Sequence, residues 1–198
     1  MDIYPKLAKF APQQSCILCG ENAKFCICFE CQSEFTNHPL RCKSCAHPLE
    51  NDLDFCGACL AHSPHFNRAY ALYDYQGVIA DLIKMFKYNH QLCIGNYFAH
   101  QLSDLHQNIG INYDAIMPMP LSKMRIRERG YNQVLELLRV LIQRPDINID
   151  THSVRRIKAT AKFADLKPNE RLKEIKGAFR AKPLQYKQVL LVDDILAQ

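Results

Sequence analysis

Four Cys-x-x-Cys pairs crowd into the first third of this 198-residue chain: Cys16/Cys19, Cys28/Cys31, Cys42/Cys45 and Cys56/Cys59. Each pair makes a tight turn that aims two thiolates at one point, and two pairs complete a tetrahedral zinc site. Nine of the ten cysteines precede residue 60, Cys26 among them, and only Cys93 follows. The N-terminal stretch MDIYPKLAKF lacks the continuous apolar core of a secretory signal. No apolar run approaches the roughly 20 residues that cross a bilayer. The expected compartment is therefore the cytoplasm, where thiols stay reduced and metal is a better explanation than disulfides. Eight ligands suit two structural zinc ions. Joining the pairs in sequence gives two successive zinc ribbons, whereas interleaving them gives a cross-brace, and the spacing allows either. Cys26 is a spare thiol or a substitute ligand. His38, His47, His62 and His65 read as loop residues, since eight thiols need no further donor.

A segment as short as residues 16–65, with few aliphatics, cannot build an adequate apolar core and needs such a cross-link. Structural zinc supplies on the order of 10 kcal/mol per site to units of this kind. Charge divides the chain in the same place. Residues 1–65 carry five Lys/Arg and seven Asp/Glu, whereas residues 66–198 carry 20 and 13. Residues 119–188 alone hold 17 basic and seven acidic side chains, a local +10. So basic a stretch seeks phosphate, on a nucleotide or a polynucleotide. The composition otherwise sits near the globular average, with 48% hydrophobic and 23% charged residues. Disordered, collagenous and low-complexity classes are thereby excluded. Two regions follow: a zinc-ribbon region over 1–65 and an α/β domain over 66–198.

Within the second region, periodicity predicts alternating strands and helices. Arg68–Tyr75 reads as a strand and Val78–Tyr88 as a helix, with Ile79, Leu82, Ile83 and Phe86 at helical spacing. Leu92–Leu105 reads as a second helix and Tyr113–Met117 as a short strand. Gly130–Gln143 reads as one strong helix, Ser153–Ile157 as a strand and Arg171–Phe179 as a helix or a hood element. Val189–Val192 is a continuous apolar run closing on Asp193 and Asp194, the mark of a buried strand in a parallel sheet. In such a domain the ligand site lies at the carboxyl ends of the strands. Residues 1–15 look like a short amphipathic lead-in, with Ile3, Leu7 and Phe10 apolar.

Two motifs carry chemistry. Residues 118–133, PMPLSKMRIRERGYNQ, hold Lys123, Arg125, Arg127 and Arg129 ahead of Gly130. Guanidinium groups suit bidentate phosphate binding and glycine permits close backbone approach, while a solvated basic helix face is the bland alternative. At residues 189–194, VLLVDD places two carboxylates at a strand end, where they can accept hydrogen bonds from a ribose diol or hold magnesium. A Walker-B reading would require a GxxxxGK[ST] partner, which the chain lacks. An ordinary strand with an acidic turn remains the plain alternative. Tyr131 and Tyr186, interleaved with basic residues, are candidates for stacking on bases, although core packing is the commoner fate of such aromatics.

The order of these features resembles the ComF family. Cysteine pairs are followed by a strand and helix carrying Lys84 and Lys87. Then come PMPLSKMRIRERGYNQ, RRIKAT, RLKEIKGAF and VLLVDD, covering roughly residues 16–195. The resemblance implies a type I phosphoribosyltransferase-like parallel sheet preceded by a double zinc ribbon, in a protein of natural competence and the use of imported DNA. It implies that Asp193 and Asp194 hold the ribose hydroxyls of phosphoribosyl pyrophosphate, with magnesium. By the same resemblance Arg125, Arg129, Gly130 and Asn132 belong to the basic loop, and Arg155, Arg156 and Thr160 to the block beside the pyrophosphate. Implied partners are that nucleotide ligand, single-stranded DNA and DNA-uptake proteins. The alternative function is a non-catalytic module that binds single-stranded DNA or a DNA-uptake partner.

The match departs from the family pattern in three places. A Thr-Thr-Gly-type loop cradling the 5′-phosphate is expected after the acidic pair, whereas the chain continues Ile195-Leu196-Ala197-Gln198. The expectation is a shortened chain with phosphoribosyl transfer impaired. Phe163 stands in place of a usual glutamine, and Glu174 in place of a usual asparagine. The cysteine pattern makes its own prediction: elemental analysis of the purified protein should find two zinc equivalents per chain, and fewer than one would contradict it.

Overall fold

In the computed structural model, which describes residues 14–158 and 168–196, the first two cysteine pairs occupy two different kinds of turn. β1 (Gln14–Ser15) pairs antiparallel with β2 (Asn22–Ala23). Between them Cys16 N–H donates to the Glu21 carbonyl at 2.7 Å and Gly20 N–H to the Cys16 carbonyl at 2.8 Å. Gly20 takes φ +82° there, a conformation glycine adopts without penalty. Cys28 then caps α1 (Phe29–Ser33), its Sγ accepting from Cys31 N–H at 3.4 Å. The second two pairs repeat the arrangement. Cys42 N–H donates to His47 and Ala46 N–H to Cys42, with Ala46 at φ +60° in the place of Gly20. Cys56 takes the equivalent N-cap position of α2 (Gly57–Ala61), without a side-chain bond to that helix.

The chain divides into two units between Ile83 and Lys84, so residues 66–83 group with the cysteine-rich segment. The strand expected at Arg68–Tyr75 does not form. This stretch runs irregularly, with Ala69 N–H on the Ser44 carbonyl and Asp74 N–H on the Thr36 carbonyl. Two isolated bonds cannot make a ladder. Side chains hold it instead: Asp74 meets Arg41 at 2.6 Å with both largely buried, and Tyr73 stands edge-on to Phe35 at 5.5 Å. α3 (Gly77–Tyr88) carries the chain across the division and buries Ile79, Leu82, Ile83 and Phe86, the stripe that periodicity predicts.

In the second unit, α4 (Leu92–Asn108) buries Ile94, Gly95, Tyr97, Phe98 and Ala99. β3 (Ala115–Pro118) is fully buried and pairs in parallel with β6 (Val189–Val192), Ala115 opposite Val189 and Pro118 opposite Val192. Asp114 secures the start of this pair: its carboxylate accepts from the N–H groups of Lys187 at 2.6 Å and Gln188 at 2.9 Å. Those two bonds hold its carboxyl below the ordinary range. On the other side of β3 a single parallel bridge joins Ile116 to Ile149. The core gathers Ile116, Val134, Leu138, Leu141 and Val192, with Leu102, Met119, Ile147 and Leu190 against it. The result is a mixed helical unit around a small parallel sheet.

Three expectations change. β6 is not a buried strand: only Val192 is buried, while Val189 and Leu191 are exposed, because among the described residues β6 pairs on one side alone. The single helix expected over 130–143 is two short ones, α6 (Gln133–Leu137) and α7 (Arg139–Ile142), divided at Leu138. Its first residue belongs elsewhere. The basic segment is itself helical, α5 (Lys123–Arg129), and Gly130 ends it at φ +76°. Further on, β4 (Val154–Arg156) pairs antiparallel with β5 (Phe179–Ala181), and α8 (Pro168–Ile175) lies between them in sequence. The amphipathic lead-in over residues 1–15, apart from its last two residues, lies outside the described residues, as do Thr160 and Phe163. Among the described residues, no helix is long and apolar enough to cross a membrane.

At Gly95 the Phe86 ring of α3 packs directly against the α4 backbone. A Cβ built there would lie 2.4 Å from Cε2 of the fully buried Phe86 ring. Gly95→Ala should therefore cost about 1–3 kcal/mol of stability through overpacking, measured by urea unfolding, despite the better helix propensity of alanine.

Candidate functional site

Eight thiols converge in two groups. Cys16, Cys19, Cys28 and Cys31 form one, and Cys42, Cys45, Cys56 and Cys59 the other, with the sulfurs in each within 4.8 Å of one another. The partition is sequential, so the interleaved cross-brace is excluded and Cys26 lies outside both groups. A tetrahedron with Zn–S bonds of about 2.3 Å has edges near 3.8 Å. The Cys19–Cys28 and Cys45–Cys56 sulfurs are 3.6 Å apart, which fits. The thiols also divide electrostatically. Burial opposes ionisation of Cys16, but N–H groups of Cys28, Cys19 and Leu18 outweigh it and hold the thiol at about 6. Cys42 is held at about 6 in the same way, against burial, by N–H groups of Cys45, Cys56 and Ser44. Burial and the neighbouring thiols Cys59, Cys56 and Cys42 push Cys45 up to about 12, against the pull of His47 N–H. Each group is thus poised to give up its remaining protons to a divalent cation, as coordination requires. These are two four-thiol clusters that could hold zinc ions, closed to further ligands.

The second unit assembles charge at the carboxyl end of β6. Asp194 forms an ion pair with Lys87 at 2.9 Å, both side chains largely buried, and its N–H donates to Oδ1 of Asp193 at 2.8 Å. Asp193 presents surface to solvent, yet protein is dense around its carboxyl. Lost hydration and the Asp194 charge raise it to about 6, against the opposing pull of Asp194 N–H, Lys87 and Arg156. Arg156 lies half-buried over the Phe179 ring at 5.4 Å. Burial weakens its hold on its proton, and so does the charge of Arg125, while Asp193 strengthens it. Asp193, Asp194, Lys87, Arg156 and Arg125 therefore share one electrostatic neighbourhood. Lys87, noted in the sequence as part of the family's motif order, was not among the expected site residues. Its signal was slight, a cation in the last turn of α3.

The other expected site residues have local structural work. Ser122 caps α5 by accepting from Arg125 N–H, and the Arg125 guanidinium meets Glu128 at 2.7 Å. Arg129 donates to the buried Gln133 at 2.9 Å and lies over the Tyr88 ring at 5.2 Å. Gly130 supplies the left-handed turn, and Asn132 caps α6 by accepting from Val134 N–H at 3.0 Å. Tyr131 donates to the Phe86 carbonyl and packs by Phe86 and His90, and Tyr186 is engaged with Asn148. Both tyrosines are thus partnered within the fold rather than set out as stacking platforms. Arg155 is exposed, on the face of β4 opposite to Arg156. Glu174 meets Lys158 at 3.9 Å.

The raised carboxyl of Asp193 makes stability fall as pH rises. Between the ordinary value of 3.8 and about 6, the folded chain keeps a proton that the unfolded chain has released. Asp193→Asn should therefore be more stable than the parent at pH 7–8, and urea titrations should show that gain vanish below about pH 4.

No family model and no solved structure matches the chain. Curated relatives do. "Competence protein F" of Haemophilus influenzae is 30% identical over 193 residues, covering 91% of this chain and 84% of that protein. "DNA utilization protein YhgH" of Escherichia coli K12 is 28% identical over 176 residues, covering 86% of this chain and 78% of that one. The protein of the same name in Salmonella typhimurium is 27% identical over the same length. At that identity, sustained over nine-tenths of its length, the chain belongs to the ComF family.

Proposed function

We propose that this chain serves the uptake or use of DNA, and that its second unit is a phosphoribosyltransferase-like site for a phosphorylated ribose such as phosphoribosyl pyrophosphate. The observation that carries the reading is the acidic pair at the carboxyl end of β6, held beside Lys87 and within reach of the charges of Arg156 and Arg125. Ligands of open parallel sheets bind outside the carboxyl ends of the strands. Carboxylates there accept from a diol, and guanidinium groups suit the phosphate end. The names of the relatives, competence protein F and DNA utilization protein, supply the DNA context. The two ribbons serve as metal-set scaffolding.

The chemistry of the acidic end is consistent with this. Asp193 ionises reluctantly and Asp194 is satisfied by Lys87, so the free chain neutralises the pair internally. A ligand with hydroxyls at one end and phosphates at the other offers donors to the carboxylates and oxygens to Lys87, Arg156 and Arg125. Magnesium, when bound, would supply positive charge to the pyrophosphate and favour ionised Asp193.

A second reading, a non-catalytic module for single-stranded DNA, draws on the excess of basic side chains in residues 119–188. Isothermal titration with phosphoribosyl pyrophosphate and magnesium tests the first reading. Saturable binding is expected, weakened at least tenfold (about 1.4 kcal/mol) by Asp193→Asn combined with Asp194→Asn. No heat at millimolar ligand rejects it.

A further inference from the structure

The register of the β4–β5 ribbon sets two arginines against each other. Arg155 lies directly opposite Arg180, between the pairs Val154–Ala181 and Arg156–Phe179. Residues opposite one another in an antiparallel pair share a face, and successive residues alternate faces. Arg156 and Phe179 therefore take one side, where the guanidinium covers the ring. Arg155 and Arg180 take the other, and both are exposed. Two residues beyond Arg180, Lys182 is on this same side, tied to the ribbon by its N–H on the Ser153 carbonyl at 2.9 Å. Like charges directly opposite in a sheet are destabilising. Among the described residues, neither Arg155 nor Arg180 meets a carboxylate within ion-pair distance, whereas nearby Lys158 does meet Glu174, at 3.9 Å.

We propose that this outer face of the β4–β5 ribbon docks the phosphodiester backbone of a nucleic acid, with Arg155, Arg180 and Lys182 as the contacts. The site is a row of exposed cations along a two-stranded ribbon, which suits a linear polyanion better than a small one. Guanidinium groups grip phosphate oxygens in pairs, and a two-stranded ribbon is an established shape for lying along nucleic acid. Its unit, from Lys84 onward, carries 19 Lys/Arg against 11 Asp/Glu, a net +8 that attracts polyanions at long range. The choice of a nucleic acid as the polyanion rests on the DNA-handling reading above. The face differs from the Asp193–Asp194 neighbourhood, which Arg156 serves from the other side of the ribbon.

The experiment uses the whole 198-residue chain, loaded with zinc, and a fluorescein-labelled 20-nucleotide oligothymidine, followed by anisotropy across a salt series. Arg180→Glu combined with Lys182→Glu should lower affinity at least tenfold and reduce the log–log salt slope by about 1.4, the loss of two contacts to a single strand. Binding of phosphoribosyl pyrophosphate by the same variant should be unchanged. Arg180→Glu alone should keep or raise the melting temperature, since it replaces a repulsion with an ion pair to Arg155, and this shows that the ribbon still folds. Oligothymidine affinity and slope equal to those of the parent in the double variant would overturn the docking alone. A parent protein that binds neither oligothymidine nor a duplex of the same length even at low salt would overturn both the docking and the DNA side of the functional reading. A duplex of the same length, run in parallel, tells whether the backbone accepted is single- or double-stranded.

Discussion

The parallel pairing of β3 with β6 is the interaction on which the second unit depends. It joins segments 74 residues apart in the chain, and closing so long a loop must be offset by what the pair gains. Two features supply that gain. β3 is buried along its whole length among Val134, Leu138 and Leu141, and Asp114 fastens the start of the pair by accepting two backbone N–H groups. At the far end Met119 N–H bonds to the Val192 carbonyl, so the register is held on both sides of the strand. The position of Asp193 and Asp194 follows from that register.

The first unit is organised on the opposite principle. Its few buried apolar residues, such as Leu49 beside Cys42 and Cys56, could not hold a fold of this length. Order comes from local turns that point thiols inward, and the same turn is built twice. Ala46 shows how strongly the geometry is imposed: an L-residue with a side chain takes the left-handed conformation that Gly20 takes freely in the equivalent turn. A metal ion bound there would convert these converging thiols from mutually repelling groups into one shared bond set.

Residues 125–133 show how one motif can be mostly scaffold. Gly130 and Asn132 end one helix and begin the next, Tyr131 anchors the turn to α3, and Gln133 orients Arg129. Such residues are required for the shape of the segment whatever it binds. The electrostatic neighbourhood is drawn from other places: the last turn of α3, the first turn of α5, the inner face of β4 and the end of β6.

The amino-acid sequence by itself determined the two cysteine clusters, the stripe of α3, the strand ahead of the acidic pair and the order of motifs that marks the family. All of these are signals of short range, written in spacing and local periodicity. Tertiary structure alone decided the partition of the thiols, since equal spacings permit two pairings and only the fold brings particular sulfurs together. It decided that Lys87 serves Asp194, and that adjacent Arg155 and Arg156 point to opposite faces of a ribbon. It also left Val189 and Leu191 exposed where their composition suggested a buried strand. Burial, partnership and facing depend on segments far apart in the chain, and no local pattern encodes which of them will meet.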